Sequence, residues 1–130
     1  AVKMDVVATV KAVARVNRIE SSNISSELNS MKTMAGINTA VTGVGTAINT
    51  GATVDHDCNI QDYTHISVGS HVAGTVNIGK RVWLGIGSIV SNNLNICDDA
   101  YIGAGSVIVK DIFDNGVYYG VPAVKKKEIG

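Results

Sequence analysis

The stretch Ile60-Gln-Asp-Tyr-Thr-His-Ile66-Ser-Val-Gly-Ser-His-Val72-Ala-Gly-Thr-Val-Asn-Ile78 places a branched aliphatic side chain at every sixth residue. The spacing continues outward through Ile48 and Val54 on one side and Leu84, Val90, Ile96, Ile102 and Ile108 on the other, eleven positions without exception. A helix repeats at about three to four residues and a half-buried strand at two. A period of six marks short strands joined by tight turns and stacked as a parallel β-helix.

The residue two before each of these positions is mostly small: Thr46, Ala52, Cys58, Thr64, Ser70, Val76, Val82, Ser88, Leu94, Ala100 and Ser106. Alternate strand residues share a face. Both positions therefore point inward, the large residue filling the core and the small one sitting at a corner. Turn-permissive residues fall between them: Asn49, Gly51, Asp55, Asp62, Gly69, Gly79, Gly85, Asn92, Asn93 and Gly103. Glycine, Asn and Asp tolerate positive φ, so pattern and turn chemistry agree.

The 130 residues fit a single domain. Eleven basic and eleven acidic residues cancel, which argues against a nucleic-acid binder, whose affinity rests on Lys and Arg neutralising phosphates. The Lys125-Lys126-Lys127 run reads as a solvated tail. No apolar stretch approaches the ~18 residues of a membrane span, and no signal-peptide pattern opens the chain. Two cysteines make no disulfide framework. Cys58 falls at an inward small position and Cys97 beside a core residue, so both read as structural thiols in a cytoplasmic setting. The chain begins with Ala rather than Met, as a fragment or a processed product would.

Residues 1–40 are less regular. Met4, Val10 and Val16 keep the spacing, but Ser22, Gly36 and Thr42 break it. Ile24, Leu28, Met31 and Ala35 fit a short helix as well as irregular early coils, of which the coils are preferred. The expected division is an irregular segment at 1–40, a β-helix at 41–113 and a tail at 114–130.

Chemistry concentrates around Asn49-Thr-Gly-Ala-Thr-Val-Asp-His-Asp-Cys-Asn-Ile-Gln-Asp-Tyr-Thr-His65. His56 follows core Val54 by two residues and so projects outward from a corner. Histidine titrates near neutrality and suits a general base. Asp55 or Asp57 could hold its other ring nitrogen and support the imidazolium that forms. A lone outward histidine is ordinarily plain surface; the two flanking acids make this one unusual. Gly85-Ile86-Gly87 and Gly103-Ala104-Gly105 lie 18 residues apart, so a coil of three hexads would stack them on one side and leave bare backbone as a groove.

The segment resembles the active-site region of the sialic acid O-acetyltransferases and nucleotide-activated amino-sugar N-acetyltransferases, a branch of the hexapeptide-repeat acyltransferases. The likeness runs through Ser67-Val-Gly-Ser-His-Val-Ala-Gly74, Trp83-Leu-Gly-Ile-Gly and Asp98-Asp-Ala-Tyr-Ile-Gly-Ala-Gly105 to Gly120-Val-Pro-Ala123. It implies an all-β, left-handed parallel β-helix of triangular section, whose coils rise about 4.8 Å each. Left-handedness rests on the resemblance, since ordinary parallel crossovers are right-handed. It further implies transfer of an acetyl group from acetyl-CoA to a sugar, first an amine on a nucleotide-activated amino sugar and second a hydroxyl of sialic acid.

Carried over residue by residue, the resemblance makes His56 the general base with Asp57 as its carboxylate. It sets His65 near the acetyl group and Gly74 as the N–H donor to the thioester oxygen. Ile86, Gly87, Gly103, Ala104, Gly105, Val121 and Pro122 become the acetyl-CoA contacts, and Asn49 a contact to the acceptor. A bulky residue at Gly85 or Gly103 is then expected to weaken CoA binding more than folding. The family packs three β-helices around a threefold axis with acetyl-CoA between subunits, so a homotrimer is expected. Val7-Ala8-Thr9-Val10 resembles the junction where the β-helix begins, without the usual His-Pro. No Gly-x-Gly-x-x-Gly segment is present, and the usual N-terminal Rossmann-like domain is not expected.

Two other classes compete. A carbonic anhydrase class holds a metal on the same scaffold with histidines. His56, His65 and His71 are separated by 9 and 6 residues, and none by 18, so they cannot stack within one chain; no metal is expected. A non-catalytic binding β-helix would leave the acid-flanked histidine unexplained.

Overall fold

The computed structural model describes residues 40–129, so the segment expected to be irregular at 1–40 lies outside them but for Ala40. Among the described residues every element is a strand. The chain winds around three flat faces. The first holds β1 (Val41–Thr42), β4 (Asn59–Ile60), β7 (Asn77–Ile78) and β10 (Asn95–Ile96). The second holds β2 (Ala47–Ile48), β5 (His65–Ile66), β8 (Trp83–Leu84) and β11 (Ala100–Ile102), and the third β3 (Thr53–Val54), β6 (His71–Val72), β9 (Ile89–Val90) and β12 (Val107–Ile108). All pair in parallel between residues 18 apart, as in Asn59 with Asn77, His65 with Trp83 and His71 with Ile89.

The hexad residues make the core. Val54, Ile60, Ile66, Leu84 and Ile102 are fully buried, and the small positions from Ala52 to Ser106 are buried beside them. Their hydroxyls bond corner carbonyls: Thr64 to Gly79 at 2.6 Å, Ser70 to Gly85 at 2.9 Å and Ser106 to Gly103 at 2.7 Å. A polar group inside so narrow a prism needs such a partner. Thr42, which breaks the aliphatic pattern in the sequence, is also fully buried and in register with Ile60. The first described coil is therefore regular.

The corners use their turn residues differently from the sequence reading. Positive φ recurs at every sixth residue: Gly45, Gly51, Asp57, Tyr63, Gly69, Thr75, Arg81, Gly87, Asn93, Asp99 and Gly105. Gly79, Gly85 and Gly103 are not in that set. They serve close approach instead: a Cβ on Gly85 would lie 2.7 Å from the Ala104 N and Ile102 O of the next coil.

The end of the solenoid also departs from an even repeat. Ile96 bridges Ile112 and Ala100 pairs with Gly116, so the last coil is two residues short (116 − 100 = 16, against 18). The tail expected at 114–130 forms a hairpin, β13 (Gly116–Gly120) and β14 (Ala123–Lys127), that extends the second face to six strands. The lysine run lies in β14: Lys125 pairs with Glu128 at 2.9 Å and Lys126 sits over the Tyr119 ring. No helix of the described residues is long and apolar enough to cross a membrane.

Candidate active site

The corner from the third face to the first carries His56. Its Nδ1 is 3.0 Å from Asp57 Oδ2, while Asp55 Oδ1 accepts the His56 backbone N–H at 2.8 Å. The two flanking acids thus divide the work, and Asp57 is the one on the ring. A carboxylate only accepts, so Nδ1 carries the proton and Nε2 is the basic nitrogen. The ring remains 54% exposed.

One coil on, the same corner presents Gly74. A Cβ there would collide with His56 Nε2 and with Cε1, so the imidazole lies flat on bare backbone. The corner is tied from coil to coil: Thr75 N–H donates to the His56 carbonyl at 2.8 Å, and Asn93 N–H to that of Gly74 at 3.0 Å. Beneath the corner, the Cys58 thiol donates to the Ala73 carbonyl at 3.1 Å. Burial pushes that thiol up from its ordinary value, which keeps it protonated and structural.

A second group gathers at the corner from the second face to the third. Gly51, Gly69, Gly87 and Gly105 repeat there in the left-handed conformation, and nothing lies within 4 Å of a Cβ placed on the last three. Ile86 and Ala104 are exposed between them, and the turn of the β13–β14 hairpin, with Val121 and Pro122, is anchored by Gly120 N–H to Ser106 Oγ at 3.3 Å. Gly103 packs on Tyr119, whose Cβ would lie 2.8 Å from its own, and Gly85 packs on the next coil. These two glycines are required by stacking, so substituting either strikes the fold first, contrary to the sequence expectation.

His65 belongs with this second group. Its Nε2 accepts from Asn49 Nδ2, at the start of that corner. Its ring stacks on Trp83 at 4.2 Å, and Trp83 on Tyr101 at 6.0 Å. The sequence reading missed this outward aromatic ladder, although the 18-residue spacing of His65, Trp83 and Tyr101 was there to be seen. His71 lies on the third face, bonded to Thr53 Oγ1 at 2.8 Å. Among the described residues no three His, Cys, Asp or Glu side chains gather to hold a metal ion.

Within one chain the predicted residues therefore fall on two edges. His56, Asp57 and Gly74 line one; Asn49, His65 and the glycine column line the other; the third face separates them. A hollow of about 210 Å³ opens elsewhere, on the first face against Asn77, Asn95 and Phe113, and no predicted site residue lines it.

No protein-family model and no curated protein matches the chain. Solved structures do. A histidine variant of perosamine N-acetyltransferase from Caulobacter crescentus, in complex with CoA and GDP-perosamine, matches at 38% identity and a TM-score of 0.68, over 70% of this chain and 43% of that one. The acetyltransferase domain of PglB from Neisseria gonorrhoeae, also solved with acetyl coenzyme A, matches at 35% and 0.60, over 69% and 47%. Soybean serine acetyltransferase, at 23% identity, shares the fold over 92% of this chain and 54% of that one, with a TM-score of 0.69. The three-sided solenoid is thus the left-handed β-helix of the hexapeptide-repeat acetyltransferases. Within that class, the Caulobacter match carries the likeness to a perosamine N-acetyltransferase, and the Neisseria match the likeness to an acetyltransferase domain. The chain spans less than half of the length of either.

Proposed function

We propose that the chain is an acetyl-CoA-dependent acetyltransferase whose acceptor is the amino group of a nucleotide-activated amino sugar. The observation that carries this reading is the imidazole of His56, held by Asp57 at Nδ1 and laid over Gly74. Acetyl-CoA, when bound, supplies the acetyl group as a thioester. The glycine column suits its slender arm: open space flanks Gly87 and Gly105, and the apolar side chains of Ile86 and Val121 stand exposed beside it.

His56 Nε2 takes the proton of the attacking amine. Asp57 keeps the ring in the required tautomer and stabilises the imidazolium, the role a triad gives its carboxylate. The Gly74 N–H faces the negative charge that develops beside the ring; such a donor is worth several kcal/mol where water is excluded, about 3 on removal. His56 then returns its proton to the leaving thiolate.

His65 and the glycine column lie one face away from His56, so one chain cannot join them. We assign the missing half to a second copy in a cyclic homotrimer, in which the edge bearing His56 meets the neighbour's second face. The exposed Trp83 and Tyr101 on that face, and Ile89 on the third, support packing of this kind. Cyclic symmetry gives three such sites.

The test is release of CoA from acetyl-CoA by the purified chain, offered GDP-perosamine, other nucleotide amino sugars and free sialic acid. Acetylation of an amino sugar is expected. Transfer to sialic acid alone would move the acceptor to a hydroxyl, and no transfer to any of them would overturn the reading.

A further inference from the structure

The corner that carries His56 breaks a local rule twice in one turn. Along it, the residue with positive φ is Asp57, then Thr75, then Asn93. Asp and Asn tolerate that conformation because their short polar side chains bond locally. A β-branched residue there is a true outlier, and Thr75, at φ 58°, is the one β-branched side chain among the eleven such corner positions described. The adjoining Gly74 is the converse. Its φ does not call for glycine, yet glycine stands there, and a Cβ would strike the His56 ring. An unstrained turn would have these two residues in the opposite order.

Room for the imidazole explains Gly74 and leaves Thr75 unexplained. Strain of this sort persists where the side chain is used. Thr75 is exposed, is joined through its N–H to the carbonyl of His56, and lies between Asp57 and Asn93 in the column of that edge. Among the described residues no side-chain hydrogen bond is made by its hydroxyl; those at this corner include Asp55 and Asp57 with His56 and Cys58 with Ala73. We propose that Thr75 is an acceptor-contacting residue, kept in a strained turn because its hydroxyl there meets a polar group of the sugar beside His56. The role rests on the acetyltransferase reading; the strain does not.

Two variants separate them. Thr75→Gly removes branch and hydroxyl together, whereas Thr75→Ser removes the branch and keeps the hydroxyl. Both are expected to melt higher than the wild type, by about 4 °C for each kcal/mol of strain relieved. Thr75→Gly should raise the acceptor KM about tenfold, the weight of one hydrogen bond to the substrate, with KM for acetyl-CoA unchanged. Thr75→Ser should keep the acceptor KM within about twofold, since the bond is retained. An acceptor KM unchanged in Thr75→Gly, or raised equally in Thr75→Ser, overturns the contact. Melting temperatures that do not rise in either variant overturn the strain. A wild type that transfers no acetyl group brings down the enzymatic reading, and with it the contact, while the melting curves still decide the strain.

Discussion

At the residue scale the site reduces to one nitrogen and one missing side chain. His56→Ala removes the proposed base and should lower turnover at least ~100-fold, while acetyl-CoA still protects the chain against heat, because the groove proposed for it lies on another edge. Equal turnover would strip His56 of its role. Gly74→Ala is the sharper probe. Its Cβ would meet the far end of an exposed, flexible side chain rather than backbone, so the fold should barely notice. The displaced imidazole should cost at least ~10-fold in rate, since small misplacements of a catalytic group are costly. A melting temperature near that of the wild type, together with a clear loss of turnover in CoA release, is the expected pair of results; a rate that survives would mean the ring need not rest on Gly74. His56 stands out in the sequence as a candidate because an outward histidine between two acids has few ordinary explanations. Spacing alone left Asp55 and Asp57 equivalent and only the family resemblance named Asp57; it is the turn conformation that sends Asp57 to the ring and Asp55 to the main chain.

At the scale of the element, the corners decide what a glycine is for. Gly85 and Gly105 look alike in sequence but do different things. A Cβ at Gly85 meets backbone of the next coil, whereas one at Gly105 meets nothing and suffers only from φ 68°. Gly105→Ala should therefore cost about 1 kcal/mol, the penalty of a left-handed alanine. Gly85→Ala should cost more, about 2–3 kcal/mol, because it overpacks rigid main chain. Urea unfolding of the two variants checks the order, and equal losses would remove the distinction. The aliphatic hexads made the prism readable from sequence because each large inward residue has only one place to go. The αL register was not readable, as Tyr63, Arg81 and Asp99 occupy it as well as glycine. Nor was the short last coil, where Ile112 replaces the expected sixth-residue position and the tail folds back as a hairpin.

At the scale of the molecule, a flat-sided prism holds the candidate residues on separate edges, and the proposed trimer is what would bring them together. That geometry makes a prediction no monomeric site would share. His56→Ala chains lack the base but keep His65; His65→Ala chains lack the partner but keep His56. If each site draws His56 from one copy and His65 from the next, mixed trimers contain boundaries where both are intact. Random equimolar assembly makes about a quarter of all boundaries whole, as the independent choice of two neighbours requires in a cyclic oligomer. Each variant alone should be nearly inactive, and refolding them together should restore about a quarter of wild-type turnover. Trp83→Glu, placed in both chains, sets a charge on the aromatic ladder between His65 and Tyr101; it should leave monomers by light scattering and abolish the rescue. A mixture no more active than the average of its parts would return His56 and His65 to separate duties within single chains.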